Sequence, residues 1–526
     1  MLLMPSTKTD VIISGAGPTG LALACQFIRY GVDFIIIDKK DGVTPYSKAL
    51  GVHARTLEIY EQIDLAKPAI SQGTPAGKVR MLERGEVLGE LNLSNVGEGL
   101  SAYPFLLVFE QSRNEQLMYD WLRAHDRDVK WETELIDFTQ NDASVSATIK
   151  GSDGQMQNIE AGYLVGCDGP HSLVRHNLGL AFAGSTFERL FYVADVHIDW
   201  KFTHDALTVC IAPHSLVAFF PMPGEKRWRI VGSFPEGVMK NEQDVVYEEI
   251  EEQIRKEAQL DLEITRVDWF STYKVHTRHV DRFSEGRCFV AGDAAHIHTP
   301  AGGQGMNTGI QDGYNLAWKL AMVLKHSAHE SLLATYNEER LPNAKRLTET
   351  TDRMFNLAAG NDWFVSLIRN TIFPPMAKYI LSIDAIRKRF FIMISQIGIS
   401  YRDCSLSSHD EDDDFEVKAG DRMPYFVIDG QSIFDKLHAP KFHLLSFSDG
   451  QTNPAQLQST DILDAKTIAL YPHVTEAFGV NKSFSVLLRP DNHIALITKD
   501  QSLRTVTNYL ERIFGSGLDA VSTTSR

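Results

Sequence analysis

The stretch DVIISGAGPTG, residues 10–20, narrows the possible folds more than any other part of the chain. A short apolar run leads into Gly15, Gly17 and Gly20 in a G-x-G-x-x-G pattern, and the helical-looking LALACQFIRYG follows. In such a unit Gly15 makes the tight turn, Gly17 lets the backbone approach a pyrophosphate, and Gly20 lets the helix pack on its strand. Pro18 and Thr19 stand at the helix start, whose free amides and positive dipole end face the phosphates. A second apolar run, VDFIIID, ends in Asp38, 18 residues beyond Gly20, where a carboxylate can accept the ribose hydroxyls of an adenosine. A lone glycine pattern is often an ordinary turn, but the strand before this one and the acid after it read as a dinucleotide-binding βαβ unit. The pattern alone does not separate NAD from FAD. Lys39 and Lys40 either help hold phosphate or form a solvated edge.

Two later segments repeat the strand-turn-helix logic. In YLVGCDGPHSLVRHNLGL (163–180) an apolar strand runs into Asp168-Gly169 and a helix start bearing Ser172 and Arg175. Read alone, it is equally a plain turn in which Asp168 caps the helix and Arg175 pairs with it. In RCFVAGDAAHIHTPAGGQGMNTGIQDGYNLAWKLA (287–321) a buried-looking strand reaches Gly292-Asp293, and Pro300, Gly302, Gly303 and Gly305 form a loop that must pass close to a ligand. Met306, Ile310, Ala317, Leu320 and Leu324 then recur at helical spacing. A helix beginning near Met306 aims free amides at whatever lies over the loop, favouring a ligand that develops negative charge.

The 526 residues exceed one compact core, and at roughly 150 residues per domain they imply two to four domains. A formal net charge of -16 argues against nucleic acid or an anionic membrane as the main partner. The five cysteines are scattered without a metal-ligand spacing, so no metal site is expected and reduced thiols in a cytosol are. The start, MLLMPSTKTD, lacks the pattern of a signal peptide, and no apolar run approaches the roughly 18–20 residues of a membrane span, so a cytoplasmic location is expected.

The segments GAGPTG, VGCDGPHSLVR and GDAAHIHTPAGGQGMNTGIQDGYNLAWKLA, in this order and at these separations, resemble the three fingerprints of the single-component FAD-dependent aromatic hydroxylases, the group A flavin monooxygenases with the p-hydroxybenzoate hydroxylase fold. YSKALGVHARTLEIYEQ (46–62) and LVFEQSRNEQL (107–117) extend the likeness over about residues 8–400, and the chain looks closest to the phenol and pentachlorophenol hydroxylase branch. The resemblance implies an α/β fold: a Rossmann-like FAD-binding domain in two parts (1–180 and 286–405), an inserted β-rich substrate domain (181–285), and a thioredoxin-like domain (415–526). It implies FAD as cofactor, NADPH or NADH as electron donor, O2 and a small aromatic, phenolic molecule as substrates, hydroxylation through a flavin hydroperoxide, and a homodimer as one possible assembly. By the same resemblance Asp38 binds the adenosine ribose. Arg55 and Gln111 sit near the pyrophosphate and ribityl chain, Asp293 binds ribityl or ribose hydroxyls, and Asp168-Gly169 serves FAD and the nicotinamide cofactor. Pro300 to Asn307, including Gly303, Gly305 and Met306, line the isoalloxazine.

Between the flavin motifs, TVCIAPHSLVAFFPMPGEKRWRIVGSF (208–234) reads as strands joined by a Pro-Gly turn, a sheet that roofs the isoalloxazine in this family. Tyr192, His197, His214 and Arg229 are its candidate substrate contacts, against a structural reading of each. Phenol hydroxylases carry an aspartate where this chain has Leu50, so His53 and His214 are the candidate bases for drawing a phenol toward its phenolate. SLSSHDEDDDFE, near residue 405, reads as a linker or exposed loop. The strands and helix that follow, with an RPD segment, resemble the thioredoxin-like domain of the branch; no cysteine follows Cys404, so that domain is expected to lack thiol chemistry and to support interaction or dimerisation. Competing readings are an epoxidase or Baeyer-Villiger-type enzyme on a polyketide, a flavin halogenase, whose W-x-W pair is absent, and a non-catalytic FAD-binding redox sensor.

Overall fold

A computed structural model describes residues 7–515 apart from 48, 84, 212–215, 236–243, 300, 327, 360–382, 410–412, 452–457 and 501. His214 and Pro300 therefore lie outside the described residues.

The apolar run VIIS forms the end of the strand Thr7–Ser14, buried on both faces as a central parallel strand must be. Met156–Gly166 and Phe34–Ile37 flank it in parallel, and Cys288–Val290 pairs in parallel with Met156–Gly166. Ser14 lies opposite both Ile37 and Gly166, and Gly166 lies opposite Val290. This register brings four strand ends into one row although residues 14 and 290 are far apart in the chain. The helix Pro18–Tyr30 returns over the sheet and stops at Gly31, whose φ of 68° suits glycine at a left-handed C-cap.

The chain also forms a second eight-stranded sheet. Its longest members are two antiparallel 19-residue strands, Phe182–Trp200 and Leu262–Val280, followed across the sheet by Arg227–Ser233, Leu216–Pro221 and Ala206–Ile211. One face packs Tyr192, Val196, Trp228 and Ile230 against Ile250 and Ile254 of the helix Tyr247–Ala258. The opposite face sets Phe220 and Met222 on Leu50 and Val108 of the first domain. The hairpin Lys78–Glu83 and Glu86–Asn92, expected within the FAD-binding part, completes the edge of this roof, and His296–Ile297 joins its other edge. The chain intervals 1–180 and 181–285 thus do not divide the two sheets.

The third sheet orders Leu463–Ala469, Phe442–Ser448, Phe484–Leu488 and Ile494–Thr498, one parallel pairing followed by two antiparallel ones, with helices Pro472–Phe478 and Arg504–Phe514. This is the C-terminal α/β domain, and it is no loosely tethered module. Phe442, Leu487, Leu496, Val506 and Leu510 belong to one continuous core with the FAD-binding domain. The acidic segment near 405 also differs from a free linker on its described flanks: Leu406 and Phe415 are buried, and Tyr509 Oη donates to the Leu406 carbonyl at 2.8 Å.

Candidate active site

Close approach follows from the aligned strand ends. A β-carbon added at Gly15, where φ is +105°, would lie 2.2 Å from the Cys167 carbonyl oxygen and 2.9 Å from the Asp168 Cα. One at Gly292 would lie 2.3 Å from Thr19 Oγ1, and one at Gly309 the same 2.3 Å. The three glycine motifs touch. Thr19, expected at a phosphate, is the wedge between two of them, and Gly309 and Gly313 let the Gly305–His326 helix cross the first helix closely.

Asp38 is buried, and its carboxylate accepts from the Ala16 amide at 2.7 Å and the Lys40 amide at 2.9 Å, tying strand end to glycine turn. Lys39 is exposed, whereas Lys40 Nζ lies 3.8 Å from Asp38. Asp168 Oδ2 caps the helix Leu173–Asn177, accepting from the Leu173 and Val174 amides at 2.9 and 3.3 Å. Arg175 does not pair with it: its guanidinium donates to the carbonyls of Ala294 and Pro170, stapling the second motif to the third. Asp293 is exposed between buried Gly292 and Ala294. Gln111 spends its amide on Glu115 Oε1 and the Ala49 N–H. Arg55 is 2% exposed, and its guanidinium donates to Glu58 and to the Asp491 carbonyl of the C-terminal domain, so its charge is neutralised within the protein.

The flavin loop is held from behind. Asn307, at the start of the Gly305–His326 helix, accepts at Oδ1 from the His53 amide (2.9 Å) and Thr56 Oγ1 (2.7 Å), and donates from Nδ2 to the carbonyls of Gly51 and Gly303. His53 Nε2 sits 3.2 Å from the Gly303 carbonyl and donates to it in the Nε2–H tautomer. Burial pushes the His53 imidazole down to about 4. A neutral, 2% exposed ring spent on the loop backbone is an anchor, which corrects the base role expected of His53.

A pH dependence follows. The unfolded imidazole takes up a proton near 6.5 and the folded one resists until about 4. The stability it contributes is complete above pH 6.5 and is lost as pH falls through 4, to about 3 kcal/mol. Denaturant midpoints should therefore fall between pH 6.5 and 4, and His53→Gln should make that fall shallower, with buried His298, held down to about 4 in the same way, keeping part of it.

Asp312, on the same helix, holds the third motif. Its Oδ2 accepts from the Gly292 amide (2.9 Å) and contacts His296 Nε2 (2.7 Å), while Oδ1 accepts from Arg340 Nε (2.6 Å). Burial drives its carboxyl up, but Arg340 and His296 outweigh that and hold it below the usual range. The sequence signal was present: Gln311, Asp312, Asn315 and Lys319 fall on a helix buried throughout Asn307–Met322, so they mark an internal polar network and not a wet face.

Of the described roof candidates, Tyr192 faces the outer core and His197 lies 3.3 Å from Asp268. Arg229 shares the face of Phe220 and Met222, toward the first domain. It makes a bidentate pair with Asp195 (2.6 and 2.7 Å), while its Nη1 is buried with no hydrogen-bond partner among the described residues. Trp269, 6.0 Å from that guanidinium, stacks on Tyr46 of the first domain. Leu50 joins the apolar wall below.

These residues fit FAD. Nothing lies within 4 Å of a β-carbon built at Gly17, Gly169 or Gly303, so bare backbone meets open space at all three. Asp168 Oδ1, buried and without a hydrogen-bond partner among the described residues, suits a hydroxyl donor.

Comparison with known proteins agrees. Residues 8–351 match the FAD binding domain family and residues 417–517 the aromatic-ring hydroxylase C-terminal family. A flavin-dependent monooxygenase of Mycobacteroides abscessus is 34% identical over 96% of this chain and 99% of its own length. Pentachlorophenol 4-monooxygenase of Sphingobium chlorophenolicum is 31% identical over 80% of this chain and 76% of its own. The solved structure of OxyS anhydrotetracycline hydroxylase from Streptomyces rimosus superposes with a TM-score of 0.75, at 25% identity, covering 97% of this chain and 99% of that one. Among the described residues no helix is long and apolar enough to cross a membrane. With its flavin-binding and C-terminal regions both matched, and its glycine motifs converging on one cleft, the chain belongs to the single-component FAD-dependent aromatic hydroxylases and is a flavoprotein monooxygenase.

Proposed function

We propose that the enzyme hydroxylates a phenolic ring held under the roof, its phenol oxygen beside Arg229. The observation that carries this reading is the buried Arg229–Asp195 pair with Nη1 left over, on the roof face that meets the flavin-binding domain. In this reading the amides around Gly15, Gly17 and Pro18 receive the pyrophosphate, Asp38 the adenosine ribose, and Asp293 and Asp168 Oδ1 the ribityl or ribose hydroxyls. Gly303, Gly305, Met306 and Asn307 then border the isoalloxazine. Bound FAD supplies the electron transfer from NAD(P)H and the activation of O2.

The chain's own residues do the rest. Leu50 leaves the wall apolar and His53 stays neutral, so deprotonation rests on the phenol's own acidity. The remaining Nη1 donor favours the phenolate by hydrogen-bonding its oxygen, although Asp195 already shares the guanidinium charge. Asp195 fixes the guanidinium plane, and the roof excludes water.

The test is stopped-flow reduction of the holoenzyme by NADPH and by NADH against phenols and hydroxylated polycyclic aromatics, with products formed under 18O2. A phenol should accelerate flavin reduction and gain one labelled oxygen on its ring. Arg229→Met should raise KM for that phenol by about tenfold or more, the loss of a charge-assisted hydrogen bond. Coenzyme oxidation with no label in any product would sink the hydroxylase assignment, and label inserted into a carbon–carbon bond would turn it toward Baeyer-Villiger chemistry.

A further inference from the structure

A C-terminal domain without cysteines invites a role in partner binding. Its buried contacts point inward. Arg422 donates to both carboxylate oxygens of Glu58, each at 3.0 Å, and to the Leu100 carbonyl at 2.7 Å. Arg55 donates to Glu58 at 3.2 Å and to the Asp491 carbonyl at 2.8 Å, with its guanidinium over the Tyr314 ring. The Asp491 carboxylate accepts from Trp318 Nε1 at 3.1 Å and pairs with Arg489, which also meets Glu339; Lys319 reaches Glu339 from the flavin-side helix at 2.8 Å. Every charged side chain in this set is at most 7% exposed.

Such a set is satisfied only when both domains are in place, because a buried charge without its partner is costly. Glu58 and Arg55 belong to the helix Ala54–Glu61. That helix carries Thr56 and starts at His53, the two residues that hold Asn307 Oδ1. The path from the C-terminal domain to the flavin loop therefore has three members: the Arg422 side chain or the Asp491 main-chain carbonyl, the helix, and Asn307.

We propose that Arg422 is a positioning residue for the flavin: through its side chain on Glu58 and the Asp491 main-chain carbonyl on Arg55, the C-terminal domain grips the helix Ala54–Glu61 from two points and so sets Asn307 at the loop. This rests on the reading of Asn307 as a flavin neighbour. Arg55 becomes a link in that grip, and the domain a built-in part of the cofactor site.

The full-length protein is prepared as wild type, Arg422→Met, Arg422→Lys, Glu58→Gln and Val486→Ala. Val486 is fully buried in the C-terminal domain's own core, so its truncation destabilises the domain without touching the grip. The Kd for FAD and the flavin absorption band are measured at a temperature where circular dichroism shows each variant folded. Arg422→Met and Glu58→Gln should weaken FAD binding about tenfold or more, within the usual range of coupling between sites, and shift the band. Arg422→Lys, which keeps the charge but loses the two-pronged contact with Glu58, should recover only part of the loss, while Val486→Ala lowers Tm and leaves Kd at the wild-type value. Should either strong variant not fold, Arg422→Lys alone is compared with wild type by hydrogen exchange across Gly305–Asp312, where faster exchange is expected. A Kd that tracks Tm alike in all variants, or exchange unchanged in Arg422→Lys, overturns the proposal. A wild-type chain that takes up no FAD brings down the flavin reading first, and this proposal with it.

Discussion

Gly15→Ala should yield a protein that purifies colourless and unfolds at markedly lower denaturant than wild type. Two costs add. Alanine at φ +105° is strained by roughly 1–3 kcal/mol. Its β-carbon would also sit 2.2 Å from a backbone carbonyl, that of Cys167, which cannot rotate away as a side chain would. Relief requires the turn to move off the Asp168 strand end, and the row of strand ends opens where the pyrophosphate is read to lie. Flavin absorbance per protein and the denaturation midpoint report the two effects separately. Gly17→Ala is the informative contrast: its β-carbon meets nothing within 4 Å, so the fold should persist while FAD binding suffers from lost approach. A yellow Gly15→Ala protein of wild-type stability would refute the close packing of the first two motifs.

Asp312→Asn carries the second large effect, about 3–5 kcal/mol of stability, the usual cost of breaking a buried ion pair by removing one partner. The substitution leaves Arg340 without its carboxylate, although Tyr401 and the Thr308 carbonyl still accept from it. It also weakens the acceptor for the Gly292 amide, and with it the turn that presents Asp293. A double variant, Asp312→Leu with Arg340→Met, separates these roles. Without a stranded charge it should recover much of the stability yet still retain FAD poorly, because Gly292 has no acceptor. Equal FAD retention in wild type and double variant would show that the carboxylate matters for the fold alone.

What could be read along the chain was what depends on neighbours in sequence. The strand, turn and helix at 10–30 follow from an apolar run, glycine spacing and a proline at the helix start, and Asp38 from a second run of the same kind. The capping role of Asp168 was one of two local readings. Arg55 was assigned to the cofactor and instead donates to the Asp491 carbonyl, a partner 436 residues away that no local pattern could reveal. His53 looked like a base because histidines near flavins invite that role, but its exposure and its Gly303 partner are tertiary facts. The roof hairpin at 78–92 was missed because alternation identifies a strand without saying which sheet it joins. Thr19 was read by its place in a motif, yet its neighbours, Gly292 and Gly309, come from the far side of the roof in sequence.

The strand register has a consequence for how the enzyme comes into being. On the ribosome the first glycine turn emerges long before Cys167, and Val290 later still, so the pair of Thr7–Ser14 with Met156–Gly166 can close first, while the pair with Cys288–Val290 cannot until the whole roof has been synthesised. Parallel pairings between distant segments are slow to form and leave edges exposed meanwhile. Nascent chains should thus wait with an open sheet, and the cofactor site is complete only after the third motif has emerged. Cells short of FAD at that moment would accumulate the unfinished sheet, making cofactor supply during translation a determinant of yield.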